Sequence, residues 1–269
     1  EVIFPYHRYD TSSSDELLCL SSSGRPLWTF HPGKSIRTTT QTFSDHYRIR
    51  SIILLTPEND APVRLLVNSR HEPDYPTQIV TLDARGEILN EYWHSGHLVK
   101  TLIADLDEDG FSEIVLAGIV NGSKTADLVV LDAARFGGAS REEQPGYQIQ
   151  DMPPPLERAR ILFPRTSVGR YLEHYSIPAT LMLDGAGLRV HISDYTAADV
   201  AASFGYLFSR DLRVRRVEPG DGEVAAYNAL KARRILPPGF VPDSMEALRA
   251  VRYLTPFVPR SAKLAQAAP

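Results

Sequence analysis

The chain has 269 residues, 43% of them hydrophobic and 23% charged, and a formal net charge of −4. That apolar content supports a buried core and excludes a disordered chain, while the acidic balance excludes long-range attraction to nucleic acid or an anionic membrane. One cysteine, Cys19, excludes an intrachain disulfide, and no apolar run reaches the roughly 18–20 residues that span a bilayer.

The chain begins at Glu1 rather than Met. It is therefore read as part of a larger exported, membrane-anchored or regulatory protein, with an extracytoplasmic or periplasmic site favoured over the cytoplasm. The first predicted strand pair is "LCLSSSGRPLWTFHPG" (18–33), which turns at Gly24 and places Cys19 as a small buried apolar residue. A second copy is "VTLDARGEILNEYWHSG" (80–96), which turns at Gly86. Phe30-His31-Pro32-Gly33 in the first answers Trp93-His94-Ser95-Gly96 in the second. A third copy begins at "LVVLDAARFGG" (128–138), and a weaker fourth is "GYLFSRDLRVRRVEPG" (205–220), with Asp211 in its turn.

A longer relation spans the middle of the chain. Shifted by fifty positions, "SIILLTPENDAPVRLLVNS" (51–69) lies under "TLIADLDEDGFSEIVLAGI" (101–119), each reading as strand, polar loop, strand. The implied unit of about fifty residues and four short strands is close to a propeller blade of roughly 40–50 residues. The fold class expected is mainly β, with propeller-like repeats of short antiparallel strands over residues 1–140. Residues 141–156, rich in Gly and Pro, read as a linker or long loop. A smaller mixed α/β segment, or further blades, follows over 157–260, and 261–269 form a tail. In that segment "ARILFPR" reads as a strand, "SVGRYLEHY" as a short helix and "ATLMLDGAGLRVHI" as a hairpin turning at Gly185 to Gly187. The clearest helix is 221–235, with Asp221 as its N-cap and Val224, Tyr227, Leu230 and Arg234 at helical spacing.

The stretch that carries chemistry is "DLDEDGFSEIVLAG" (105–118). Asp105, Asp107, Asp109 and Glu113 stand at positions 1, 3, 5 and 9 of one loop, with Phe111 at position 7. Calcium takes six to eight oxygens at roughly 2.3–2.6 Å, from carboxylates and backbone carbonyls. Alternate side chains on a tight loop converge on one point, Gly110 allows the chain to turn back, the Phe111 carbonyl adds an oxygen, and Glu113 closes the cage. Four carboxylates at close range repel by about 1 kcal/mol per pair even in water, and a divalent cation removes that repulsion. The loop is not an EF-hand, because position 12 is Leu116 and a strand follows rather than a helix. In the sister loop, fifty residues upstream, the same positions are Leu55, Pro57, Asn59 and Val63. A turn of this type therefore does not need the acids. Magnesium demands a tighter octahedron and zinc prefers nitrogen or sulfur, so calcium is the expected ion, at one site.

The run from Asp105 to Val115 resembles the calcium loop of FG-GAP/VCBS-type repeats, which occur in integrin-α propellers and bacterial surface proteins. The hairpins with "LWTF" and "EYW" also resemble quinoprotein-like propeller repeats. The resemblance covers roughly residues 15–140. It implies a β-propeller-like fold, a calcium ion held by Asp105, Asp107, Asp109, the Phe111 carbonyl and Glu113, and a binding rather than a catalytic role. The ninth position is Glu here where that family has Asp, and one loop carries the acids where the family often has several.

Other motifs are set aside on chemistry. "PGKS" (32–35) lacks the upstream glycine of a phosphate loop, since Trp28 stands there, and "IRTTTQTF" after it is β-like. His94 and His97 in "HSGH", with His31, fall short of a zinc ligand set, and the polar loop "SRHEPDYPTQ" (69–78) offers His71, Asp74 and Tyr75. His71, Asp74, Tyr75, His94 and His97 are the candidate ligand-facing residues, on the ground that loops on rigid scaffolds carry function. Arg210, Arg213, Arg215 and Arg216 read as a solvated strand face. Asn121-Gly-Ser123 is a glycosylation sequon only in a eukaryotic secretory cell.

No nucleophile elbow, C-x-x-C pair or dinucleotide fingerprint occurs. The expected function is thus a non-enzymatic, calcium-stabilised domain that binds a protein or glycan ligand, with no nucleic-acid partner and no membrane span. Two alternatives stand beside it. One is an enzyme on a propeller scaffold, such as a glycan lyase or quinoprotein-like oxidoreductase. The other is an intracellular sensory domain whose output module lies elsewhere.

Overall fold

The computed structural model describes residues 1–7, 14–55, 62–73 and 75–259. The protein is mainly β: of the described residues 49% are strand and 9% helix, and among them several sheets form, none of them closed. The chain forms two compact units, Glu1–His97 with Ala134–Leu156, and Leu98–Ala133 with Glu157–Pro269. No helix among the described residues is long and apolar enough to cross a membrane.

The first unit opens with a three-stranded antiparallel sheet of β1 (Val2–Tyr6), β2 (Glu16–Leu20) and β3 (Pro26–Phe30). A small hairpin of β4 (Ile36–Arg37) and β5 (Thr42–Phe43) follows. The main sheet is the meander β6 (Tyr47–Leu55), β7 (Arg64–His71), β8 (Thr77–Leu82) and β9 (Ile88–His94), all antiparallel. A short later strand, β13 (Gly137–Ala139), adds to β9 in parallel. Leu17, Phe30, Ile49, Leu65, Val67, Val80 and Leu82 form one core of this unit. A second cluster gathers Ile36, Phe43, Tyr47, Trp93 and Ile149. Residues 141–156 hold a 3-10 turn at Pro145–Tyr147 and a bridge from Ile149 to Thr38.

The second unit has a five-stranded sheet in the order β10 (His97–Ala104), β11 (Glu113–Val120), β12 (Thr125–Asp132), β14 (Ala159–Leu162), β19 (Arg252–Thr255). β11 and β12 are almost wholly buried, as their unbroken apolar runs demand. A four-stranded antiparallel meander follows, β15 (Ile177–Asp184), β16 (Gly187–Ala197), β17 (Val200–Phe208) and β18 (Val214–Pro219). The helices α1 (Ser167–Tyr171), α2 (Glu223–Ala232) and α3 (Met245–Leu248) are short.

The repeated hairpins share one turn. In β2–β3 the Ser21 N–H donates to the Arg25 carbonyl and the Gly24 N–H to Ser21. In β8–β9 the same bonds join Asp83 to Glu87 and Gly86 to Asp83, and in β17–β18 they join Ser209 to Arg213 and Leu212 to Ser209. Gly24 and Gly86 take φ of +79° and +80°, and Leu212 takes +58° in the same place. The fifty-residue offset also maps strand onto strand, β6 onto β10 and β7 onto β11. The sister loop, with Pro57 and Asn59, lies outside the described residues.

Two expectations need correction. The third copy at 128–138 is not a hairpin: β12 pairs with β11 and β14, while β13 joins β9. Asp221 is not the cap of α2. The N-cap is Gly222, where an added Cβ would stand 2.3 Å from the Ala201 carbonyl, so the chain is held against β17 and the helix starts two residues later than Asp221. Its buried face is Ala226 and Leu230, and Val224 is exposed.

Candidate metal centre

The acidic loop joins β10 to β11 at the edge of the five-stranded sheet. Leu106, fully buried in the core of its unit, pins the start of the loop. Glu108 and Gly110 take left-handed φ values of +58° and +83°, which fold the chain back on itself. The carboxylate of Asp105 accepts the N–H groups of Asp109 (3.1 Å) and Gly110 (2.9 Å), and Asp109 accepts that of Phe111 (2.8 Å). These Asx-type bonds to the loop's own backbone are why aspartate suits these positions.

As a result Asp105, Asp107 and Asp109 each present a carboxylate oxygen within 4.8 Å of the other two. Oδ1 of Asp107 and Oδ2 of Asp109 are closed off from solvent. Glu113, first residue of β11, is fully buried and points its oxygens elsewhere. Oε2 accepts the Leu106 N–H at 2.9 Å, and Oε1 forms an ion pair with Arg158. The Phe111 N–H serves Asp109 and its side chain is exposed.

Two arginines balance the charge. Arg158 lies between Glu113 and Asp107 (3.0 Å to Oδ2), donates to the Val258 carbonyl, and sits 4.8 Å from the centre of the Phe257 ring. Arg210 reaches Glu108 at 3.1 Å and donates to the Asp105 carbonyl. Burial pushes the Glu113 carboxyl up to about 7; the Leu106 N–H and Arg158 oppose that shift, and the Asp107 and Asp109 charges add to it. Three convergent carboxylates on a preformed loop suit a hard cation such as calcium, and offer it no nitrogen or sulfur donor.

Sequence reasoning missed Arg158. It lies forty-five positions from Glu113 in "PPPLERAR", and no local pattern connects them.

The other candidate residues fall in the first unit or at its end. His71 is buried; its Nε2 lies 3.1 Å from Ser44 Oγ, and its ring meets the edges of Phe43 and Tyr47. Tyr75 packs on Phe43 and Tyr147. His94 is fully buried, and its Nδ1 accepts the Gly96 N–H at 3.0 Å. His97 opens β10 half-buried. His71 and Tyr75 thus share an aromatic cluster, and Asp74 lies outside the described residues.

No family model and no curated protein matches the chain. Among solved structures it is similar to the exotype rhamnogalacturonan lyase YesX, at 12% identity and a TM-score of 0.45, over 80% of this chain and 43% of that one. The rhamnogalacturonan lyase YesW gives 13% and 0.45, over 82% and 46%. A rhamnogalacturonan lyase of Bacillus licheniformis gives 12% and 0.41, over 82% and 45%. The chain spans less than half the length of these structures. Likeness at this level fixes neither topology nor function.

Proposed function

We propose that this chain is a calcium-stabilised, non-enzymatic domain that binds a protein or glycan ligand, within a larger exported, membrane-anchored or regulatory protein. The observation that carries this reading is the convergence of Asp105, Asp107 and Asp109 within 4.8 Å of one another on a loop whose N–H groups hold two of the three. Calcium would be held by these three carboxylates, with the Phe111 carbonyl as a further oxygen, while Glu113, expected from the sequence to close the cage, is engaged by Arg158 and the Leu106 N–H instead. Arg158 keeps Glu113 and Asp107 compensated without an ion, so the loop is organised in advance. Simple calcium sites of extracellular modules have dissociation constants of roughly 10⁻⁴–10⁻³ M, and an affinity in that range would support the extracytoplasmic location proposed here.

The meanders are proposed to be blades of a propeller of the FG-GAP/VCBS or quinoprotein-like type. The support is the shared five-residue turn of 21–25, 83–87 and 209–213.

Isothermal titration of calcium into chelator-stripped protein tests the reading. One binding event per chain is the expected result. An absence of binding heat up to tens of millimolar, with magnesium and calcium alike, removes the metal site and the reading built on it.

A further inference from the structure

The meander β15–β18 has two unlike faces. Leu188, Val190, Ile192, Phe204, Tyr206 and Phe208 point into the core of their unit. The other face carries two cross-strand rows. Arg189, Leu207 and Arg216 are partners in one, and His191, Gly205 and Glu218 in the other. Over these rows lies a cleft of about 380 Å³ that extends to Ser203 and Asp221, within the usual size of a small-ligand site.

Gly205 sits at the middle of its row, between an imidazole and a carboxylate. Nothing in the backbone asks for glycine there. It is not among the positive-φ residues, and the register shifts of β16–β17 and β17–β18 fall elsewhere, at Ser193/Tyr195 and Leu207/Phe208. The atoms nearest to an added Cβ belong to the His191 ring, with Nε2 at 3.4 Å, so the imidazole flanks this strand position closely without filling it. By contrast Gly220 and Gly222 are required by space, since their Cβ atoms would fall 2.1 Å from Ser203 Oγ and 2.3 Å from the Ala201 carbonyl. A glycine inside a strand costs about 0.5–1 kcal/mol relative to alanine. With no bulge or bend to explain it, the glycine leaves room at the middle of the row, flanked by the His191 ring, for a group to approach the backbone closely.

The walls define the ligand. Arg189 and His191 donate, Glu218 and Asp221 accept, and Leu207 and Pro219 supply a small apolar strip. The charges are largely compensated inside the protein, Arg189 by Asp184 at 2.7 Å and Glu218 by Arg216 at 3.1 Å. A phosphate meets two carboxylates here, and a metal ion meets the Arg189 guanidinium. A neutral polyhydroxyl ring suits both walls, because each hydroxyl is donor and acceptor at once.

We infer that this cleft binds a neutral sugar residue of a glycan, its ring laid beside the His191 imidazole against the Gly205 backbone and its hydroxyls between His191 and Glu218. The inference rests on the reading of the chain as a binding domain, but not on the calcium loop.

The test is retention on a glycan array of neutral and uronate-containing pyranosides, run in calcium and in chelator, for the wild type and for Gly205→Ala and Gly205→Val. The wild type should be retained on neutral glycans. Gly205→Ala should bind about tenfold more weakly or worse, Gly205→Val should be lost, and Gly205→Ala should melt no lower than the wild type, because its Cβ is accommodated beside His191 and alanine suits a strand better than glycine. Equal retention of wild type and both variants overturns the inference. So does retention on uronates alone, on no glycan, or displacement by a free amino acid, which would make the ligand a zwitterion. Loss of the calcium response with neutral-glycan retention intact would sink the metal reading and leave this one standing. Mass spectrometry of the retained glycan separates binding from turnover.

Discussion

Arg158 and Glu113 form an ion pair in which the guanidinium is 12% exposed and the carboxylate not at all. A buried pair is costly to break from one side, because the remaining charge has no water to solvate it. Arg158→Met should therefore destabilise the calcium-free protein, by up to about 3–5 kcal/mol above pH 7 and by less below it, where Glu113, pushed up to about 7, takes a proton. Adding Glu113→Gln should restore part of that loss, since Glu113 then carries no charge while Asp107, 2% exposed, still lacks its guanidinium partner. Urea denaturation in chelator measures both, and a double variant as unstable as the single one contradicts this account of the pair.

Gly24 and Gly86 hold equivalent turn positions with the same φ, but in different surroundings. Around Gly24 the space for a Cβ is open, whereas at Gly86 that atom would fall 2.7 Å from the Trp28 ring, whose Nε1 donates to the Ala84 carbonyl. Gly24→Ala should cost about 1 kcal/mol for the left-handed backbone alone, and Gly86→Ala should cost at least 1 kcal/mol more, because the indole must move. Thermal denaturation of the two variants gives the order. Equal losses would mean that Trp28 yields freely.

Glu91 gives the acid limb of stability. Burial works to raise its carboxyl pKa, but hydrogen bonds from Lys34 (2.8 Å) and Gln78 (2.8 Å) prevail and hold it below its ordinary 4.5. A carboxyl depressed in the folded state binds its proton more readily when unfolded. Its contribution is complete above pH 4.5 and fades as the pH falls through the lower folded value. Glu91→Gln should flatten the fall of stability below pH 4.5, with little change in its slope near pH 7. An unchanged acid limb, measured by denaturant titration across that range, would assign it to other carboxylates.

What was legible in the sequence is what local chemistry specifies. Gly24 and Gly86 mark their turns because a left-handed residue there is cheapest as glycine, and the alternating acids of 105–113 mark a loop that folds on its own side chains. The third turn of the same kind hides its left-handed residue as Leu212, whose fully buried side chain offsets the backbone strain. Arg158 and the pairing of β13 with β9 were illegible for another reason: they join segments forty or more positions apart, where no residue spacing foretells a partner. The cap of α2 was misplaced because the crowding of Gly222 against Ala201, twenty-one positions upstream, decides it, and Asp221 does not.

The central claim is that Asp105, Asp107 and Asp109 hold calcium and that the ion stabilises the fold. The most direct measurement is the melting temperature in calcium and in chelator, for the wild type and for Asp107→Asn. At a hundred times the dissociation constant, binding contributes about 2.7 kcal/mol. The wild type should then melt several degrees higher in calcium, and Asp107→Asn should melt at the same temperature in both. A wild-type melting temperature that chelator leaves unchanged would contradict the claim and leave the loop an acidic turn balanced by Arg158 and Arg210.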